Sequence, residues 1–344
     1  MGDSAGFPGF DGRAADGRAS YRVLLCGSNY GRTYLPAIEG SAGRFRCAGL
    51  FARGSERSRR LAASLDVPLY RRVGDLPAGA FEVAVVALPR AASGVADELL
   101  RRGVHVLLEH PRRADDLRSA HAAADTGGAA VHVNGHFTDL PAPRAFIDEL
   151  ARRRPGGGGR HSEGEVRHLE IVCQDRALYA ALDILDAALP LDDLQIAAAR
   201  PLGEFRSLDL LLGDPPTGGP LAVRLDVQAP PDAADGSPRY VVDVAITARL
   251  RGGSVTLQSL AGPAVWKVGL AQAAPSDGAL WRSLSPAPSL DELRRQRVEA
   301  NLEALERLAS AVETGRDDAL VGRPRTLRVA DAWGRIGDAL KGPP

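Results

Sequence analysis

The charged pair Glu109-His110, followed by Pro111, closes the apolar run Val104–Leu108. Such a pair is costly to bury without partners, so its place at the end of an apolar run reads as functional. Imidazole switches between neutral and charged forms near pH 7, which suits proton donation. His110 is therefore the first candidate acid, against the blander reading of a surface histidine before a helix-starting proline. A second apolar run ends in Val133-Asn134-Gly135-His136-Phe137 and brings further polar groups to the same kind of position. Lysine is scarce: only Lys267 and Lys341 occur, so the N-terminal half has no ammonium to act as acid or base.

A different constellation suits an anion. In Tyr21–Tyr34, YRVLLCGSNYGRTY, the apolar run Val23–Cys26 breaks at Gly27 into a tight turn that opens a helix. Backbone N–H groups of Gly27, Ser28, Asn29, Tyr30 and Gly31 could then hold a pyrophosphate. The usual G-x-G-x-x-G pattern is broken, because Asn29 stands where the second glycine would lie. An ordinary strand–turn–helix is the competing reading.

The next apolar run, Phe45–Phe51, exits into Ala52-Arg53-Gly54-Ser55-Glu56-Arg57-Ser58. NAD enzymes place a carboxylate at the tip of this strand for the ribose 2′-hydroxyl; here Arg53, Gly54, Ser55, Arg57 and Ser58 occupy the spot. Guanidinium groups with nearby hydroxyls suit a 2′-phosphate, which favours NADP(H) over NAD(H). A solvated helix start capped by Ser55 is the alternative. Leu88 and Pro89, after the run from Val83, belong beneath the nicotinamide side, and Glu109, His110 and Asn134 complete the candidate cofactor contacts.

The elements that must position these residues alternate. Strands are expected at Val23–Cys26, Phe45–Phe51, Val83–Leu88, Val104–Leu108 and Ala130–Asn134. Helices are expected at Thr33–Ile38, Ser55–Ser64, Ser93–Arg102 and Asp115–Ala124. Repeated strand–helix units with near-continuous apolar strands predict an α/β domain, a doubly wound parallel Rossmann sheet, over residues 20–140. Residues 1–19 show no periodicity and are expected to be a disordered leader. The remainder, 141–344, reads as an α+β domain with an open, mainly antiparallel sheet. It comprises a linking helix at 141–154, a PGGGG loop at 155–159, a strand at Val166–Cys173 and a helix at Ala177–Leu189. Alternating strands follow at Ser207–Leu212, Leu221–Ala229, Tyr240–Arg251 and Ser254–Leu260. Leu290–Val312 is amphipathic, with Ser289 and Glu292 as a capping box, and the last helices could pack back on the first domain.

Composition narrows the classes. The 344 residues balance 43 basic against 43 acidic side chains, so no overall field favours nucleic acid or an acidic membrane. Cys26, Cys47 and Cys173 are scattered, with neither disulfide nor metal-ligand spacing. No signal peptide or membrane-spanning run occurs, and a cytoplasmic protein is expected.

The strand-end spacing resembles the glucose–fructose oxidoreductase/inositol dehydrogenase (Gfo/Idh/MocA) superfamily from about residue 20 onward. Its sugar-oxidising members carry E-K-P where this chain has Glu109-His110-Pro111, and an Asp/His pair where it has Arg176 and Ala180. More closely, the chain resembles the thiazolinyl imide reductases of yersiniabactin- and pyochelin-type siderophore synthesis. The resemblance rests on G-x-x-x-G-x-x-Y-L at Gly27–Leu35, L-x-A-x-G-S-x-R-S-R at Leu50–Arg59, P-L-Y at Pro68–Tyr70 and R-G-V-H-V-x-x-E-H-P at Arg102–Pro111. It continues through Leu178-Tyr179, Leu182-Asp183 and G-P-x-x-W at Gly262–Trp266. It implies NADPH-dependent reduction of a thiazoline C=N to a thiazolidine on an intermediate tethered to a carrier protein of a nonribosomal peptide synthetase. It also implies a homodimer. His110 would be the proton donor; the family's second donor, a tyrosine, is matched by Phe137, and His136 could substitute. Phe137, Tyr179 and Trp266 could line the substrate pocket, while Asp183 is expected to be structural or half-exposed. Two alternatives stay open: another NADP-dependent reductase acting on a free imine or carbonyl, and a catalytically silent NADP-binding regulatory or assembly protein.

Overall fold

The computed structural model describes residues 17–89, 94–153, 166–213, 220–228, 243–268, 280–316 and 321–341. The chain divides into two compact units, 1–134 with 301–323 and 135–300 with 324–344. The expected PGGGG loop lies outside the described residues.

The N-terminal unit is built on six strands: β1 (Tyr21–Cys26), β2 (Phe45–Phe51), β3 (Leu69–Tyr70), β4 (Val83–Val86), β5 (His105–Leu108) and β6 (Val131–Val133). They form one sheet in the order β3-β2-β1-β4-β5-β6, with every pairing parallel. Val23–Cys26 and Val83–Val86 are buried on both faces, as strands covered on each side must be. The crossovers carry α1 (Leu35–Glu39), α2 (Glu56–Ser64), α3 (Gly94–Arg101) and α4 (Ala114–Gly127). α4 ends on Gly128 in the left-handed conformation. The helix expected at Thr33–Ile38 is shorter and begins differently. A 3-10 turn, Gly31–Tyr34, leads into the five residues of α1, where Pro36 fixes the early geometry. β3 is an addition to the five strands expected; two residues are too few for a period to show.

The last part of this unit comes from far along the chain. The helix α7 (Leu290–Thr314) contributes its residues from Asn301 onward, and Ala304, Leu305, Leu308 and Ala309 join the core formed by β1, β2 and β4. Arg44 is fixed there, 1% exposed, with Nε 3.2 Å from Glu306 and a terminal nitrogen 2.9 Å from Glu313. It also donates to the Ala19 carbonyl. Residues 17–19, read from the sequence as part of the leader, are therefore held by the unit.

The C-terminal unit holds α5 (Pro141–Ala151), α6 (Leu178–Ala188) and most of α8 (Arg323–Lys341) beside an eight-stranded sheet. Its strands are β7 (Val166–Gln174), β8 (Gln195–Leu202), β9 (Phe205–Leu212), β10 (Leu221–Gln228), β11 (Val244–Leu250), β12 (Gly253–Leu257), β13 (Ala264–Val268) and β14 (Trp281–Ser283). The order is β14-β13-β12-β11-β7-β10-β9-β8; β7 and β10 run parallel and all other neighbours antiparallel. Leu169, Ile171 and Cys173 alternate with the more exposed His168, Glu170 and Val172, so one face builds the core and the other is polar. β8 and β14 at the sheet edges, and β13 beside β14, escaped the sequence reading because none shows a clean apolar alternation.

Candidate functional site

In the N-terminal unit the carboxyl-side exits of β1, β2, β4, β5 and β6 each carry residues singled out above. Gly27 has φ of +107°, and a Cβ there would lie 2.5 Å from the Ala87 carbonyl oxygen. The exits of β1 and β4 thus close on each other at a spot that only glycine fits. The Gly27 N–H donates to the Phe51 carbonyl at 2.9 Å, which ties in β2 as well. Gly31 brings the following turn against β1, where a Cβ would meet Leu25 at 3.4 Å. Ser28 is buried; Asn29 and Tyr30 are exposed. Asn29 is not among the described residues with positive φ, so the backbone conformation there does not itself require glycine.

At the exit of β2, Ser55 caps α2 by accepting the Ser58 N–H at 3.3 Å, and the Ser58 hydroxyl donates to the Ser55 carbonyl at 2.7 Å. Ser58 is fully buried and serves the cap, not the surface of the tip. Arg53 and Arg57 are exposed. Glu56, the nearest carboxylate, is engaged by Arg59 and Arg60 at 2.8 and 2.9 Å. Gly54 has φ of +85°, and a Cβ there would lie 2.6 Å from Nε of Arg71. Arg71 follows β3, whose register places Tyr70 beside Phe51. It is a third cation at the tip that the sequence reading missed, and only the pairing of the short strand reveals it.

At the exits of β5 and β6, burial of a charged pair is met by partners. Glu109 is 8% exposed; its Oε2 accepts from the Tyr34 hydroxyl and, at 3.4 Å, from Asn134 Nδ2. Asn134 also donates to the Tyr34 oxygen at 2.5 Å and to Asn301 Oδ1 at 3.2 Å. Asn301 in turn donates to the Thr33 carbonyl at 3.3 Å. Arg112, buried, donates through Nε to the Glu109 carbonyl at 2.9 Å and through its terminal nitrogen to the Leu88 carbonyl at 3.2 Å. Tyr34, Arg112 and Asn301 were not singled out from the sequence. Tyr34 stands inside the quoted glycine motif, while the other two carry no signal apart from the fold. Leu88 is half-buried and Pro89 exposed.

Burial raises the Glu109 carboxyl to about 7, against the lowering pull of Tyr34, Asn134 and Arg112. His110 goes the other way, down to about 4, through burial and then the Arg112 charge. This corrects the expectation that His110 changes charge near pH 7: here it is a neutral imidazole, and Glu109 is the group that titrates there. Desolvation, which a sequence does not display, decides both.

In the C-terminal unit, His136 is 4% and Phe137 8% exposed, with ring centroids 4.0 Å apart. Tyr179 is 3% exposed and packs edge-on against Trp333 at 6.3 Å. Trp266 pairs with Val255 across the sheet and lies 5.9 Å from the guanidinium groups of Arg153 and Arg282. Asp183 is buried, not half-exposed. It pairs with Arg325 at 2.7 Å, and Arg325 also reaches Asp186 at 3.1 Å.

A parallel sheet of this order, with a glycine turn at its first exit and cations at the tips of the second and third strands, is a dinucleotide-binding Rossmann domain. Residues 21–135 match the Gfo/Idh/MocA family, described as an oxidoreductase family with an NAD-binding Rossmann fold. Over these residues the match and the sheet topology agree on an NAD-binding Rossmann fold of the oxidoreductase type. No curated protein sequence matches it. Among solved structures it is similar to KijD10, a 3-ketoreductase from Actinomadura kijaniata solved with NADP, at 18% identity over 92% of this chain and 97% of that one, TM-score 0.67. It is also similar to an oxidoreductase from Agrobacterium radiobacter in complex with NAD+, L-tartaric acid and magnesium, at 12% identity over 94% and 97%, TM-score 0.69. A third is GenD2 from gentamicin A biosynthesis in complex with NAD, at 14% identity over 96% and 97%, TM-score 0.69.

Proposed function

We propose that the protein reduces a thiazoline C=N to a thiazolidine with NADPH, on an intermediate carried as a thioester by a carrier protein of a nonribosomal synthetase. The observation that carries this reading is the Glu109-His110 pair, in which a neutral histidine stands where sugar-oxidising relatives hold a lysine. An imine nitrogen is far more basic than a ketone oxygen, so its reduction needs weaker acid assistance.

The residues present fit the cofactor. The close approach at Gly27 leaves backbone amides of Ser28 to Gly31 to cradle a pyrophosphate. Arg53, Arg57 and Arg71 supply the charge for a 2′-phosphate. When bound, NADPH supplies a hydride to the imine carbon. Glu109, Tyr34 and Asn134 form a fixed polar floor at the exits of β5 and β6, His110 offers a ring N–H to the substrate nitrogen, and Arg112 holds the strand exits in place. Because His110 is neutral, the proton it passes on is replaced from the Glu109 carboxyl 3.5 Å from its Nε2, the group that titrates near pH 7, and general-acid help of this kind contributes about 10²–10⁴-fold. His136 is the second candidate donor. The polar sheet face of the C-terminal unit suits association of two copies.

Likeness in fold to a 3-ketoreductase supports a second reading, carbonyl reduction. An NADPH-oxidation assay with a synthetic aryl-thiazolinyl thioester and, separately, a ketone substrate discriminates the two. Turnover of the thioester alone is the expected result, and turnover of the ketone alone overturns the proposal. NADPH binding without oxidation of either favours a non-catalytic role.

A further inference from the structure

Glu109 is a buried carboxyl whose two oxygens are treated unequally. Oε2 takes the Tyr34 hydroxyl and the Asn134 amide, while Oε1 has no hydrogen-bond partner among the described residues and lies 3.5 Å from Nε2 of His110. Within the N-terminal unit the groups around it are Tyr34, from the turn after β1; Asn134, at the exit of β6, with Asn301 of α7 behind it; and His110 and Arg112, from its own loop. Arg112 is the permanent charge among them, yet its guanidinium hydrogen-bonds the backbone carbonyls of Val86, Leu88 and Glu109 and not the carboxyl. Tyr34 and Asn134 can serve either state of the acid: both donate to an ionised Oε2, and the Tyr34 oxygen can also accept.

The sheet order places the adenosine half of a dinucleotide over β1 and β2 and the nicotinamide half over β4 and β5, beside Glu109. The oxidised ring is a cation and the reduced ring is neutral. We propose that Glu109 senses this difference: it is ionised beneath NADP+ and holds a proton beneath NADPH, so that pH sets the relative affinity for the two forms. The inference rests on the NADP(H) reading above. Burial brings the free-protein titration to about pH 7, so both states are accessible near neutrality. By linkage, raising the pH through this range strengthens NADP+ binding relative to NADPH.

The test measures Kd for NADP+ and NADPH on the full chain by calorimetry between pH 6 and pH 8. Both forms carry the 2′-phosphate, so its own titration cancels in the ratio. The ratio Kd(NADP+)/Kd(NADPH) is expected to fall roughly tenfold across the range, the size of one pKa unit of coupling. Glu109→Gln should flatten it, and Tyr34→Phe, which removes a donor to the ionised form, should move the change to higher pH. The wild-type ratio is decisive even if neither variant folds. Tight binding of both forms with a flat ratio overturns the sensor and leaves the NADP(H) reading standing, as does a slope that persists in Glu109→Gln. No binding of either form overturns the cofactor reading and the sensor together.

Discussion

Arg112 donates through Nε to the backbone carbonyl of Glu109 at 2.9 Å, so the residue whose charge adds to burial in lowering His110 also fastens the strand exit carrying it. Position and charge of the pair are therefore coupled. Arg112→Met should cost about 2–4 kcal/mol in urea unfolding, because buried carbonyls of Leu88 and Glu109 lose a charged donor. The same change should raise the His110 titration, read from imidazole NMR shifts. A variant with unaltered His110 would mean that burial alone sets its state.

The pH dependence of stability isolates Glu109. Its folded carboxyl titrates near 7, above the ordinary value of 4.5, so the unfolded chain releases this proton first and stability falls as pH rises between those values. His110, lowered to about 4 from 6.5, acts oppositely: the unfolded chain binds its proton first, and stability rises with pH over 4 to 6.5. The two nearly cancel in the wild type. Glu109→Gln removes one side, so its stability relative to wild type should climb from pH 5 to pH 7. Denaturant midpoints that stay parallel would contradict the raised carboxyl.

The long-range helix gives a third prediction. Arg44 joins the start of β2 to Glu306 and Glu313 on α7, with its guanidinium 5.4 Å from the Tyr21 ring centre. Arg44→Ala should destabilise by about 1–3 kcal/mol, through its lost hydrogen bonds and packing, since Glu306 and Glu313 stay partly in contact with solvent. Hydrogen exchange should show α7 residues 301–314 losing protection before the sheet does. Uniform loss would mean that the helix and sheet open together.

The parallel sheet could be read from Val23–Cys26, Phe45–Phe51 and Val83–Val86 because fully buried strands need uninterrupted apolar runs. What escaped depended on partners distant in sequence. Leu69-Tyr70 is a strand only through its pairing with β2, and Leu305 and Leu308 reveal an amphipathic helix without saying which sheet it covers. At the site, Glu109, His110 and Asn134 stand out as polar residues at the ends of apolar runs. Their protonation does not, since it follows from Tyr34 and Arg112 and from the loss of water around them. For Tyr179 and Asp183 the sequence leaves two readings open, pocket wall or core and structural or half-exposed, and only the packing against Trp333 and the pairing with Arg325 show that both are buried.

Under the NADPH proposal the cations at the β2 and β3 tips set the dinucleotide preference, and Arg71 is the one whose removal tests a built phosphate site against chance arginine content. Its guanidinium lies against Gly54, where a Cβ would come within 2.6 Å of Nε. Arg53 and Arg57 could be exposed for solubility alone, but an arginine folded across a left-handed glycine is held toward the tip. Arg71→Ala should therefore weaken NADPH roughly tenfold, the worth of one charge-assisted hydrogen bond, and leave NADH nearly unchanged. Gly54→Ala should act similarly, since the added methyl displaces the guanidinium and strains a φ of +85°. Calorimetry with both cofactors checks this: equal losses for NADPH and NADH would show that these groups support the loop without touching the 2′-phosphate.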